Sequence, residues 1–329
     1  MDRRNFIGAS LTGMAALPFG SAWADDYPKR AIRLINPFPA GSPTDAVARK
    51  LAESIAPLLG QPVFIDNKTG AGGSIGTQEV ARAVPDGYTM GIAIGDSLIS
   101  VASLLKNPGY DSRKDLSLIC KFSSATAVLF ANAQSGIRSL SDLIAKAKAK
   151  PESISYASFG QGTQPHLIMA SLEEATGAQF VHVPYKGLAP AIQDLLGDVI
   201  QVSVGPPVMI AQYMQKKQLY PLATLGPRRT EFLPQVPTFV EQGYKNQFLS
   251  ESTWWAGVIG PKKLPQAIVD RWNDVVKQAI SKPEFAQFLA TGAGGQLPTF
   301  VGPADFAKEL AVEWEMTNAL LRKVGVTPQ

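Results

Sequence analysis

Ser74 lies in Gly72-Gly73-Ser74-Ile75-Gly76, a G-x-S-x-G pattern, and the chain holds two histidines, His166 and His182, that could serve a nucleophile. A serine elbow needs a strand that ends directly at the motif, so that a strained turn exposes the hydroxyl. Several loop residues separate Asp66 from Ser74 here, and both histidines carry other signals. A hydrolase built on Ser74 is therefore the enzymatic rival, and no catalytic residue is assigned. Gly70, Gly72 and Gly76 loosely echo a dinucleotide fingerprint, but they follow the second strand and no acidic residue is well placed after the next one. His182 alternates with Val181 and Val183 and reads as structural. His166 falls in the first turn of a helix, where a ligand contact and a satisfied structural histidine both stay open. Two histidines without acidic or cysteine partners make no metal site, and no cofactor is implied.

What remains is anion binding by backbone. Asn36-Pro37-Phe38-Pro39-Ala40-Gly41-Ser42-Pro43-Thr44-Asp45 joins a short apolar run, 31–35, to a helical pattern in which Val47, Leu51, Ile55 and Leu58 recur. Ser42 is placed as N-cap, Pro43 at the first helical position and Asp45 three residues after the cap. Gly60 and Pro62 stop the helix. Such a turn aims free N–H groups and the positive end of a helix dipole at one point, which suits a carboxylate or phosphate. Phe159-Gly160-Gln161-Gly162-Thr163-Gln164-Pro165 repeats the arrangement ahead of the helix that carries His166.

Strand-like and helical runs alternate almost throughout, which predicts an α/β fold with mainly parallel sheets. Two such series, a proline-punctuated connection over 227–242, an extended run at 253–258 and two closing helices over 265–281 and 303–324 predict two lobes. One lobe comprises 25–127 and 250–329, the other 128–249, with crossings near 124–130 and 250–257. Trp254 and Trp255 face opposite sides of their strand, one toward the core and the other free to line a cleft.

Hydrophobic residues make up 45% and charged residues 18% of the 329, enough for full cores. The net charge of +4 is scattered. Lys146, Lys148 and Lys150 alternate with alanines on a solvated helix, and no basic-aromatic stripe marks a nucleic-acid partner. The lone Cys120 excludes an internal disulfide. Residues 1–24 read as an export signal, with Arg3-Arg4, an apolar stretch over 6–19 and Ala22-Trp23-Ala24 as the cleavage site. Asp2-Arg3-Arg4-Asn5-Phe6-Ile7 is twin-arginine-like but lacks the Ser or Thr before the pair and the Lys after it, so the general secretory route stays open. The mature protein is expected in the periplasm.

Phe38-Pro39-Ala40-Gly41-Ser42-Pro43-Thr44-Asp45, Asn67-Lys68-Thr69-Gly70-Ala71-Gly72-Gly73-Ser74-Ile75-Gly76 and Pro85-Asp86-Gly87-Tyr88-Thr89 together resemble the Bordetella uptake gene (Bug) family, the solute-binding proteins of tripartite tricarboxylate transporters. Tyr156-Ala157-Ser158, Val183-Pro184-Tyr185-Lys186-Gly187 and Leu233-Pro234-Gln235-Val236-Pro237-Thr238 extend the likeness over nearly all of the mature chain. The resemblance implies a type II periplasmic binding protein fold that closes on a small carboxylate for membrane transporter subunits; a related reading is a binding protein that feeds a sensor kinase, and a monomer is expected. Carried over, the ligand-binding positions are Phe38, Pro39, Ala40, Gly41, Ser42 and Thr44 in one lobe. In the other they are Ser158, Gly160, Gly162, Thr163 and His166, together with Tyr185, Lys186 and Gly187. Ser42 departs from the family's usual Gly, Gly197-Asp198-Val199-Ile200-Gln201 departs from Gly-Gly-x-Val-Asp, and Gly205-Pro206-Pro207 replaces a loop that often selects the ligand.

Overall fold

The computed structural model describes residues 27–292 and 295–326. The export signal read at 1–24 lies outside the described residues. Among the described residues, eleven strands form two sheets. The first takes β1 (Ile32–Asn36), β2 (Val63–Asn67), β3 (Thr89–Ile94) and β4 (Leu116–Ala125) from the start of the chain. The second holds β5 (Val128–Asn132), β6 (Ser155–Ser158), β7 (Val181–Pro184), β8 (Val202–Gly205) and β9 (Leu219–Thr224). The chain then returns to the first sheet with β10 (Trp254–Pro261) and β11 (Gln296–Val301). The orders are β11-β4-β10-β3-β1-β2 and β7-β6-β8-β5-β9.

Both sheets are mixed rather than mainly parallel. β1 pairs in parallel with β2 and β3, and β6 with β7 and β8, as short βα units require. The antiparallel strands are those beside the passages between sheets. β4 gives way to β5 across residues 126–127, and β10, arriving from the other sheet, inserts between β3 and β4 with Trp254 opposite Ala125.

The helix Pro43–Leu59 begins at Ser42 and ends at the left-handed Gly60. Val47, Leu51 and Ile55 are buried as their spacing predicts, but Leu59 rather than Leu58 completes the buried stripe. They pack with Leu34, Trp272 and Phe285 on one face of the first sheet. Ile35, Trp255, Phe306 and Leu310 fill the other face. The helix Pro303–Lys323 starts in that cluster and ends against the second sheet's core through Met316, Leu320 and Leu321, so one rigid element touches both cores.

The closing region holds more than the two helices read from the sequence. Gln266–Ile280 and Pro283–Thr291 are separate helices, because Pro283 starts a new one at its first turn. β11 follows, although Pro298 argues against a strand. It is an edge strand, where a missing N–H costs little. Likewise Pro207 does not merely break β8 but opens the helix Pro207–Gln215.

Candidate functional site

The turn after β1 is tied by its own side chains. Ser42 Oγ accepts the Asp45 N–H at 3.2 Å. Asp45 reaches back one residue beyond the cap, and its Oδ2 accepts the Gly41 N–H at 2.9 Å and Arg49 Nε at 2.9 Å. Its Oδ1 accepts Asn67 Nδ2 at 2.9 Å. Burial works to raise the Asp45 pKa, but bonds from Arg49, Asn67 and Gly41 win and hold it below the usual carboxylate range. The Ser42 N–H donates to the Pro39 carbonyl at 3.1 Å. The N–H groups of Ala40 and Thr44 and the Thr44 hydroxyl thus find no partner among the described residues. Pro39, Ala40 and Gly41 are exposed, while Phe38, Ser42 and Thr44 are half-buried.

The glycine loop lies directly against this turn. A Cβ on Gly76 would sit 2.7 Å from the Lys68 carbonyl oxygen and 3.0 Å from Pro37 Cα, and one on Gly73 would sit 3.2 Å from Phe38 Cζ. Close backbone approach explains these glycines. Ser74 is 3% exposed. Its Oγ is 3.3 Å from the Tyr110 hydroxyl, which donates to the Ser97 carbonyl at 2.5 Å. β2 ends at Asn67, so no strand runs into Ser74, and neither histidine is among its partners.

The second turn engages most of its donors internally. The Gly160 N–H donates to Ser158 Oγ at 3.0 Å, the Gly162 N–H to His166 Nδ1 at 3.0 Å, and the Thr163 N–H to the Gly160 carbonyl at 3.3 Å. Thr163 Oγ1 also donates to that carbonyl, at 2.7 Å. Ser158 is fully buried, with Oγ 2.5 Å from His182 Nε2. His182 stacks between Tyr156 and His166, at centroid distances of 5.1 and 4.4 Å. Burial, and then the His182 ring, push His166 down to about 4, so it is neutral and its Nδ1 is free to accept.

Tyr185 holds this turn from the neighbouring strand, its N–H donating to the Ser158 carbonyl at 2.8 Å and its hydroxyl to Asp194 at 2.7 Å. Lys186 is exposed and makes no ion pair among the described residues. Gly187 begins the helix Leu188–Leu196 with no side-chain cap.

Sequence reasoning missed what joins the two turns, the segment 96–104. Ser97 abuts Gly73, Val101 abuts Gly72, and Leu104 occupies the space a Cβ on Gly162 would need, 2.1 Å from it. Asp96 accepts Ser100 Oγ at 3.3 Å and faces the backbone N–H of Gln164, first residue of the helix Gln164–Thr176 in the other sheet's layer. Burial lifts Asp96 to about 6 despite these bonds. Glu313 lies alongside and accepts Trp255 Nε1 at 2.8 Å. Burial raises it to about 7, with Lys121 and Trp255 pulling down and Asp96 and Glu309 pushing up. The available signal was an aspartate just past the carboxyl end of a buried strand, where α/β sheets place ligands. Among the described residues no cluster of three or more His, Cys, Asp or Glu could hold a metal ion.

The family model described as tripartite tricarboxylate transporter family receptor matches residues 47–325. Protein BugT of Bordetella pertussis is 34% identical over 304 residues, covering 92% of this chain and 91% of the relative. The structure of the periplasmic binding protein BugD superposes with a TM-score of 0.79 at 32% identity, over 92% of this chain and 100% of that one. Rpa4515 of R. palustris, solved with adipate, gives 0.82 at 26% identity over 92% and 100%. With the two-sheet α/β fold, the capped turn and these matches together, the chain belongs to the tripartite tricarboxylate transporter receptor family, the Bug group of periplasmic solute-binding proteins.

Proposed function

We propose that this protein is an exported receptor that captures a small organic carboxylate between two lobes, 25–127 with 250–329 and 128–249, and hands it to the membrane subunits of a tripartite transporter. The observation that carries this reading is the pair of unpartnered N–H groups, Ala40 and Thr44, at the start of the helix Pro43–Leu59. Backbone donors at a helix N-terminus bind a carboxylate without bringing a counter-charge. The Thr44 hydroxyl adds a third donor, and exposed Lys186 supplies the positive charge from the other lobe. The adipate found with Rpa4515 supports the ligand class. Closure is a hinge motion about residues 126–127 and the return segment ahead of β10. The protein binds rather than transforms its ligand, and acts as a monomer.

A thermal-shift screen of small mono-, di- and tricarboxylates on the mature protein tests this. A ligand at a hundredfold its Kd adds about 2.7 kcal/mol, a shift of several degrees. Lys186→Ala and Thr44→Val should each weaken the best ligand about tenfold. If no small anion stabilises the protein, the reading falls.

A further inference from the structure

Asp96 faces the start of the helix Gln164–Thr176, the counterpart of the helix start at Pro43. The second turn resembles the first in its sequence, yet most of its donors are engaged. Gly160, Gly162 and Thr163 donate within the turn, and the Gln164 N–H, the first of the helix Gln164–Thr176, faces Asp96. A carboxylate from the neighbouring layer already occupies that helix N-terminus, and two anions cannot share it without strong repulsion.

The surroundings of Asp96 are rich in acceptors. A Cβ on Gly95 would lie 3.1 Å from Glu313 Oε1, so a second carboxylate borders the same backbone. Lys121 is the nearby cation, but its Nζ is held by Glu309 at 2.7 Å. Gln164 is 6% exposed. Its Nε2 donates to Ser252 Oγ at 2.8 Å and to the Thr253 carbonyl, which leaves Oε1 an acceptor with no donor among the described residues. A buried acceptor without a donor is costly, and a donor supplied by a ligand relieves that cost. Asp96 itself keeps some solvent access.

We propose that Asp96 is a specificity-determining residue that bars an anionic group from the second turn and accepts a cationic one, so the ligand is a carboxylate bearing an ammonium group rather than a diacid. The carboxylate end lies between the Ala40–Thr44 turn and Lys186, and the ammonium faces Asp96 and Gln164 Oε1. This rests on the carboxylate-capture reading above.

The test is calorimetry on the mature protein with amino monocarboxylates from alanine to 6-aminohexanoate, each ω-amino acid paired with the diacid of matching length, such as 4-aminobutyrate with glutarate. The best amino acid should bind at least tenfold more tightly than its matched diacid. Asp96→Asn should shrink that ratio to threefold or less, or reverse it. A diacid that binds as well as or better than its amino partner overturns the inference while leaving carboxylate capture standing, and so does an unchanged ratio in Asp96→Asn. Binding of no carboxylate of either kind overturns capture itself and the inference with it. The wild-type ratio needs no variant to fold, and Asp96→Ser supplies a second neutral side chain should Asp96→Asn misfold.

Discussion

Gly41 and Asp45 are joined by a hydrogen bond of 2.9 Å from backbone N–H to carboxylate, while Ser42 accepts the Asp45 N–H at 3.2 Å. The reciprocal cap is displaced by one residue from the usual box, in which the acid returns to the cap's own N–H. The displacement spends the Gly41 donor, while those of Ala40 and Thr44 stay unpartnered among the described residues. Asp45 is thereby a part of the scaffold, bonded to Gly41, Arg49 and Asn67.

Ser42→Ala removes the cap acceptor but none of the unpartnered donors. Urea unfolding should show a loss of about 1 kcal/mol, with affinity for the best ligand within about threefold of wild type. Lost affinity at unchanged stability would place the hydroxyl on the ligand instead.

Gly76→Ala forces a methyl to within 2.7 Å of the Lys68 carbonyl and against Pro37. Both neighbours are backbone and must move, at a cost of about 1–3 kcal/mol. Because Pro37 leads directly into the turn proposed to hold the carboxylate, affinity should fall together with stability. Denaturation and calorimetry on one preparation check the pair.

His166 is neutral when folded, with its pKa pushed down to about 4 by burial and the His182 ring. The unfolded chain takes up a proton near 6.5 and the folded one does not until about 4, so stability is lost as pH falls through that window. His166→Asn keeps an acceptor for the Gly162 N–H. It should be less stable than wild type at pH 8, with the gap narrowing by roughly 1–2 kcal/mol at pH 5. A gap independent of pH would refute the buried neutral ring.

Glu313 runs the opposite way. Its folded pKa of about 7 exceeds the ordinary 4.5, so the folded protein takes up this proton first and gains stability as pH falls from 8 toward 4.5. Glu313→Gln retains an acceptor for Trp255 Nε1 and removes the charge. It should be roughly 1–2 kcal/mol more stable than wild type at pH 8 and equal to it near pH 4.5. Paired thermal melts across that range decide it.

The sequence by itself determined what depends on neighbours in the chain. Ser42, Pro43 and Gly60 bound their helix because caps act within four residues, and Val47, Leu51 and Ile55 name its buried face by spacing alone. The alternation of strands and helices gave the α/β class for the same reason. Tertiary structure decided the rest. The insertion of β10 between β3 and β4 pairs residues more than a hundred positions apart, and β11 is a strand only because an edge tolerates Pro298. Most of all, the two small-residue turns look alike as sequence, yet in the second the Gly160, Gly162 and Thr163 donors are turned inward. Asp96 lies 68 residues before Gln164 in the chain, and only packing of the two layers brings its carboxylate to that helix. Local spacing can announce a donor, but whether it stays free is settled by whatever the fold sets beside it.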